Sequence, residues 1–345
     1  MTESRANDKP ILGITMGEPA GIGAEIIIKS LADPAIRKLA RFVIYGLNEQ
    51  LAYAADLAEV EPFWWRTQAG RTAPPIDHGH DALVVDFDEF SILGTTLRQP
   101  SKVGGEASMA FLDEAVTAAI NGQIHAVVTA AISKESWRLA GYRWPGHTEF
   151  LAWRCKSPRY AMMFAGGPLR VALATIHEPL FEIRNKFTIG CVFNPIDLLN
   201  DALREWFALP RPRIAVCGLN PHASEAGRFG DEEQRIIIPA ITMAKEAGIN
   251  VDGPFPADTL FWRAARGEFD GVVAMYHDQG LIPVKLLAFD ESVNLTLGLP
   301  IVRTSVDHGT AFDIVGRNVA RPGSMKAAIK LAAHIARQRM ANVSP

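Results

Sequence analysis

Cysteine is scarce in this chain. Cys155, Cys191 and Cys217 are odd in number and widely spaced, with no CxxC pair, so neither a disulfide framework nor a cysteine zinc site is suggested. An excess of one charge is also lacking. The 35 basic and 38 acidic residues nearly cancel, and no run of Lys or Arg is interleaved with aromatics, which argues against a nucleic-acid partner. No apolar stretch approaches the roughly 20 residues of a membrane helix, and the opening MTESRANDKP is polar. A cytoplasmic protein without a membrane partner is expected. What the chain has is length and apolar content: 345 residues, 48% of them hydrophobic, suit two α/β lobes sharing a cleft.

Seven short apolar runs read as buried parallel strands: ILGITMG, ARFVIYG, AVVTA, VALATI, IAVCGL, GVVAMY and VNLTLG. Between them Ala24 to Leu31, Ala107 to Ile120, Asp197 to Phe207, Asp231 to Ala247 and Ser324 to Met340 carry helical periodicity. This alternation is the signature of an α/β fold. The stretch from Phe63 to Asp88, with His78 and His80, reads as an irregular surface excursion whose histidines lie in a solvated loop. Punctuation near Trp144-Pro145-Gly146 and near Pro283 predicts two crossings, giving one lobe from 1–135 plus 285–345 and another from 136–284.

Chemistry concentrates at the strand ends. His177, His222 and His277 each follow an apolar run, and neutral imidazole is the commonest metal ligand. Taken singly, each reads more readily as a core or loop histidine. Together they suit a Lewis-acid metal with open coordination positions, and Asp258 can add a carboxylate or orient a ring. The loop from Gly17 to Gly23 looks like a phosphate cradle, yet Ile26 stands where a dinucleotide fingerprint needs its third glycine, so a Rossmann site is not expected. A tight turn that places Glu18 at the edge of the sheet explains the same residues. His147 and Thr148 precede an apolar helix whose free N–H groups favour an anion, although Thr148 also suits a plain N-cap. Lys285, Asn294 and Arg303 would suit a phosphate or carboxylate if they converge; scattered surface cations are the alternative. The loop DHGTAFDIVG, with Asp307, His308, Gly309, Thr310 and Asp313, can wrap an adenosine or be a simple turn.

The ordered segments GITMGEPAGIGAEI, GHTEFLA, VALATIHEPL, GLNPHASEAGRFGDEE, GPFPADTLF, MYHDQGLIPVK and NLTLGLPIVRTSVDHGTAFDIVG span residues 13 to 316. They resemble the 4-hydroxythreonine-4-phosphate dehydrogenases of vitamin B6 biosynthesis and their relatives. The resemblance implies a homodimer with the two-lobed fold of the isocitrate and isopropylmalate dehydrogenases, not a Rossmann fold, its active site in the interdomain cleft at the dimer interface. It implies His177, His222 and His277 as ligands of a divalent metal (Zn, Co, Mg or Ni), contributed across the dimer. It further implies His147, Thr148, Lys285, Asn294 and Arg303 as substrate-binding residues, and Asp307, His308, Gly309, Thr310 and Asp313 as binding NAD or NADP. Lys285, which near a metal can shape the proton transfer, and Asp258 are the catalytic candidates. The implied reaction is oxidation of a secondary alcohol followed by decarboxylation, with 4-phosphohydroxy-L-threonine giving 3-amino-2-oxopropyl phosphate. Related substrates are D-threonate or D-erythronate 4-phosphate and carboxylated cis-dihydrodiols such as that of terephthalate. The chain departs from the commonest pattern at Glu18, usually Asp, at Ser224 to Phe229, usually richer in glycine, and at Arg317-Asn318, usually Lys-Gly.

Overall fold

The computed structural model describes residues 9–70, 81–93 and 98–343; His78 and His80 lie outside them. Among these residues twelve strands occur in chain order. They are β1 (Ile11–Thr15), β2 (Arg41–Gly46), β3 (Trp64–Gln68), β4 (Ala82–Asp86), β5 (Ala126–Thr129), β6 (Ala161–Gly166), β7 (Leu169–Leu173), β8 (Ile214–Cys217), β9 (Val251–Phe255), β10 (Gly271–Ala274), β11 (Val293–Leu297) and β12 (Arg303–Val306). They divide between two compact units, residues 1–155 with 300–345 and residues 156–299.

In the first unit the order is β3-β4-β2-β1-β5-β12, and each strand pairs in parallel with its neighbour. Parallel strands buried on both faces read as unbroken apolar runs, which is why β1, β2 and β5 are legible as such. The helix Gly23–Leu31 is buried almost all round, with Ile26, Ile27, Ile28 and Leu31 fully enclosed. Its one lysine escapes sideways. Lys29 Nζ donates to Glu25 at 2.8 Å and to the carbonyls of Asn318 and Ala320 at 3.0 and 3.1 Å.

The second unit differs from the all-parallel expectation. Its order is β11-β6-β7-β10-β8-β9, where β6 pairs antiparallel with both β11 and β7 while β7, β10, β8 and β9 are parallel. VNLTLG is therefore an antiparallel strand, and strand direction leaves no mark on a run that is apolar on both faces. The core here gathers Phe164, Val171, Leu173, Cys217, Val272 and Leu281. Burial pushes the Cys217 thiol up, as suits a packing residue.

The supposed surface excursion is also corrected at its two ends. WWRTQ and ALVVD are strands β3 and β4, paired in parallel with each other, and β4 extends the sheet from β2. Short helices at Asn48–Leu57, Lys134–Leu139, Ala257–Ala265 and His277–Ala288 add to those expected, and the helix expected after Thr148 begins at His147 and runs to Arg154. The helix expected from Ala107 starts earlier, at Lys102, behind the cap Ser101, whose hydroxyl accepts the Gly104 N–H at 2.9 Å.

Gly104 and Gly105 hide that early start because glycine weakens a helical signal, and both are glycine for contact reasons. A Cβ on Gly105 would stand 2.1 Å from the Ser136 carbonyl oxygen, so helix Lys102–Ile120 lies against helix Lys134–Leu139 as closely as backbone allows. Helix propensity favours Gly105→Ala by about 1 kcal/mol. The clash outweighs it. We expect this variant to lose about 2 kcal/mol in urea unfolding; a gain in stability would contradict the described packing.

Candidate active site

The candidate site residues fall into two sets, one in each unit. In the second unit the parallel neighbours β7, β10 and β8 each deliver one histidine just beyond the strand end: His177 after Leu173, His277 after Ala274 and His222 after Cys217. The rings of His177 and His277 lie 6.0 Å apart between centroids. Two imidazoles on one tetrahedral ion at about 2.0 Å would place their centroids about 5 Å apart, so this pair is close to a ligating arrangement. His277 also has its second contact in place, since Nδ1 lies 2.7 Å from Asp278 Oδ1, the carboxylate partner that fixes a ligand ring.

His222 is held differently. It opens a run of left-handed backbone, His222 to Ala226, and its ring lies 6.1 Å from that of Phe229. Among the described residues, no three His, Cys, Asp or Glu side chains gather into a ready metal cluster. The structure thus brings two of the expected imidazoles together and holds the third at the next strand end. The donor set itself, three imidazoles with a carboxylate behind one of them, fits a borderline divalent ion.

Also in this unit, Lys285 follows His277 on the same helix, roughly 12 Å along its axis, with Nζ 5.8 Å from the Phe289 ring centre. Asn294 lies on β11, its Oδ1 buried without a hydrogen-bond partner. Asp258 is exposed in the first turn of helix Ala257–Ala265.

The first unit holds a buried cation. Arg303 is 2% exposed and donates from Nε and Nη2 to Thr129 Oγ1 at 3.2 and 2.9 Å. Burial pushes its guanidinium down to about 9, with Glu149 opposing, which leaves it charged at neutral pH. His147 opens helix His147–Arg154 behind Gly146, so the cap is glycine and Thr148, itself buried, lies inside the helix instead of capping it. The His147 ring meets Trp137 edge to face at 5.7 Å, and its Nε2 is buried with no hydrogen-bond partner. Burial first, then the charges of Arg303 and Lys134, hold this imidazole well below its ordinary 6.5. A neutral ring and a dry guanidinium beside a helix N-terminus can receive an anion. Lys134 and Thr129 carry no local signal, because separate elements bring them here, whereas Glu149 lies on the same helix as His147.

The loop after β12 packs on the loop after β1: Ile22 N–H donates to the Thr310 carbonyl at 3.1 Å. A Cβ on Gly21 would stand 3.0 Å from that oxygen, and one on Gly17, at φ +71°, only 2.2 Å from the Ala131 carbonyl. Close backbone approach accounts for these glycines without a phosphate. Glu18 between them is 1% exposed, and burial raises its carboxyl against the Ser136 hydroxyl and the Ala20 N–H. Gly104 makes room for it, since a Cβ there would come 2.2 Å from Glu18 Oε1. In the loop after β12, the Asp307 N–H donates to Ser324 Oγ at 3.0 Å, His308 Nδ1 lies 2.9 Å from the Gly309 carbonyl, and Gly309 and Asp313 are exposed.

Residues 38–332 match the family described as pyridoxal phosphate biosynthetic protein PdxA. The chain belongs to that family. It is 44% identical over 330 residues to a 4-hydroxythreonine-4-phosphate dehydrogenase of Desulforapulum autotrophicum, covering 95% of this chain and 96% of the relative. It is 40% identical over 333 residues to a D-threonate 4-phosphate dehydrogenase of Cupriavidus necator, covering 96% and 98%. The crystal structure of a 4-hydroxythreonine-4-phosphate dehydrogenase from Klebsiella pneumoniae superposes with a TM-score of 0.84 at 40% identity, covering 95% of this chain and 99% of that one. This PdxA-family chain is therefore a dehydrogenase with a mixed α/β fold, and no helix among its described residues is long and apolar enough to cross a membrane.

The depressed imidazole has a measurable consequence. Below about pH 6.5 the unfolded chain takes a proton at His147 that the folded chain refuses, so this residue's contribution is complete above 6.5 and is lost as pH falls towards the folded value. Between pH 7 and 5, His147→Gln should flatten the decline of urea-unfolding stability, by up to about 1.4 kcal/mol per pH unit. Equal slopes for the two proteins would show that the ring is not held neutral.

Proposed function

We propose that the protein is a divalent-metal-dependent, NAD(P)-linked dehydrogenase that oxidises a phosphorylated secondary alcohol and decarboxylates the product, with 4-phosphohydroxy-L-threonine giving 3-amino-2-oxopropyl phosphate. The observation that carries this reading is the delivery of His177, His277 and His222 from three neighbouring strand ends. A metal bound there would lower the pKa of the substrate hydroxyl, and NAD(P) would accept the hydride.

The chain's own residues supply the rest. Arg303 and His147, with Thr148, offer charge and hydrogen-bond donors to a phosphate, and the buried position of Arg303 makes an anion there worth more than at the surface. In the second unit Lys285 and Asn294 are also proposed to bind substrate, the Asn294 oxygen being buried and unpaired. Lys285 is the group proposed to shape the removal of the hydroxyl proton, and Asp258 is proposed to add a carboxylate ligand or orient a ligand ring. The alcohol carbon then loses hydride, and the carbonyl formed β to the carboxylate allows loss of carbon dioxide. Asp307, His308, Gly309, Thr310 and Asp313 are proposed for the dinucleotide; the exposed Gly309 and Asp313 are open to it. A homodimer is proposed as the working form, supported by Ile282, Leu286 and Phe289, apolar side chains 65%, 83% and 67% exposed around one helix end.

The Cupriavidus necator relative supports a second reading, D-threonate 4-phosphate as substrate. Steady-state kinetics separate the readings. The highest kcat/KM is expected for 4-phosphohydroxy-L-threonine; preference for D-threonate 4-phosphate would select the second reading, and turnover only of a carboxylated cis-dihydrodiol would overturn both. Arg303→Ala should raise KM for the phosphorylated substrate at least tenfold, and an unchanged KM would remove the phosphate from this site.

A further inference from the structure

The loop that carries His222 is strained and anchored from beneath. Five consecutive residues bearing a Cβ, His222, Ala223, Ser224, Glu225 and Ala226, have φ of 54, 49, 67, 44 and 58°. L-residues rarely adopt this conformation singly and almost never in a run, so the surrounding structure must hold it. The anchor is Glu233, which is fully buried. Its Oε1 accepts the backbone N–H groups of Leu219 and Asn220 at 2.8 and 2.7 Å, and its Oε2 accepts Asn220 Nδ2 at 2.9 Å. Glu233 opens a π-helical turn, Glu233–Ile237, a local widening frequent at functional sites. The next residue, Gln234, reaches the fully buried Ser224 hydroxyl within the left-handed run, Nε2 to Oγ at 3.2 Å.

A second side chain ties this loop to the neighbouring strand end. Gln279 Nε2 donates to the Gly218 carbonyl at 2.8 Å, at the base of the His222 loop, while its Oε1 accepts the Met275 N–H at 2.6 Å, two residues before His277. On the other side, Thr175 Oγ1 donates to the Met275 carbonyl at 2.7 Å, two residues before His177. One chain of hydrogen bonds therefore runs beneath all three histidines, from Thr175 through Met275, Gln279 and Gly218 to the segment that Glu233 grips. Gly218 is part of the fit, for a Cβ there would stand 2.8 Å from Ala223 Cα and 3.2 Å from Glu233 Oε1.

We infer that Glu233 and Gln279 are positioning residues for the histidine set: Glu233 holds the left-handed run that presents His222, and Gln279 locks that loop's base to the strand end that presents His277. This rests on the reading that the three histidines bind a divalent metal. Neither side chain would be a ligand of the ion, since Glu233 is taken up by the Leu219 and Asn220 amides and Gln279 by Gly218 and Met275. Each fixes the backbone from which a ligand projects.

The test titrates Zn²⁺ into the metal-free full-length protein by calorimetry, comparing wild type with Glu233→Gln, Gln279→Met, His222→Ala and the control Arg235→Ala. Arg235 pairs with Asp231 on the exposed side of the same turn. Glu233→Gln and Gln279→Met should each weaken Zn²⁺ binding 10- to 100-fold, and Arg235→Ala should leave it unchanged. In hydrogen exchange of the metal-free protein, the Leu219 and Asn220 amides should lose protection in Glu233→Gln. Wild-type affinity in both positioning variants, beside lost affinity in His222→Ala, would overturn the inference and leave the metal reading standing. Undiminished affinity in His222→Ala would instead remove the metal reading beneath it. Should Glu233→Gln fail to fold, Gln279→Met alone decides: it keeps the side chain's length and removes both hydrogen bonds.

Discussion

Parallel pairing of β7, β10 and β8 sets where everything else in the second unit can go. Val171 lies opposite Val272, and Val273 opposite Val216, so the three strands finish side by side at the spacing of about 4.8 Å that the backbone ladder imposes. Any residue placed shortly after these strands is brought near its counterparts without a dedicated framework. His177, His277 and His222 occupy those places. Their placement at neighbouring strand ends is a consequence of strand order, since β10 comes from late in the chain and inserts between β7 and β8. An antiparallel neighbour in place of β10 would have sent His277 to the opposite edge.

The first unit solves a different problem, keeping a charge in a dry site. Desolvating a guanidinium costs several kcal/mol unless hydrogen bonds and opposite charge compensate. For Arg303 the structure supplies the Thr129 hydroxyl and the field of Glu149, while the nearby imidazole of His147 is held neutral so that no further positive charge accumulates. Such a cation is poised for an anionic ligand, and the neighbouring His147 ring packs edge to face on the fully buried Trp137. Glu18 is the complementary case: an acid buried in the same unit, with its carboxyl raised, given space by the missing side chain of Gly104.

Much of this was legible in the sequence, for physical reasons that differ by residue. Strand ends were readable because a doubly buried parallel strand is continuously apolar and stops at a small or polar residue, as AVVTA and GVVAMY do. The histidines stood out only because such runs precede them. Strand direction was not readable: β11 and β6 look like any other apolar run, and only pairing distinguishes them. Lys134, Thr129, Glu233 and Gln279 were silent for a related reason. Their roles depend on contacts such as Arg303 with Thr129, distant in sequence, and on a left-handed run that no glycine announces until Gly227. The glycines of the loop after β1 were visible, yet their purpose, close packing on Ala131 and Thr310, came only from the fold.

One divalent ion held by His177, His222 and His277 is the proposal on which the rest depends. X-ray absorption spectroscopy at the zinc edge of the Zn²⁺-loaded protein measures this without reference to turnover. Three imidazole nitrogens at about 2.0–2.1 Å, with the multiple scattering of histidine rings and the remaining positions filled by oxygen, are predicted. A shell made only of oxygen, or one with a single imidazole, would contradict it.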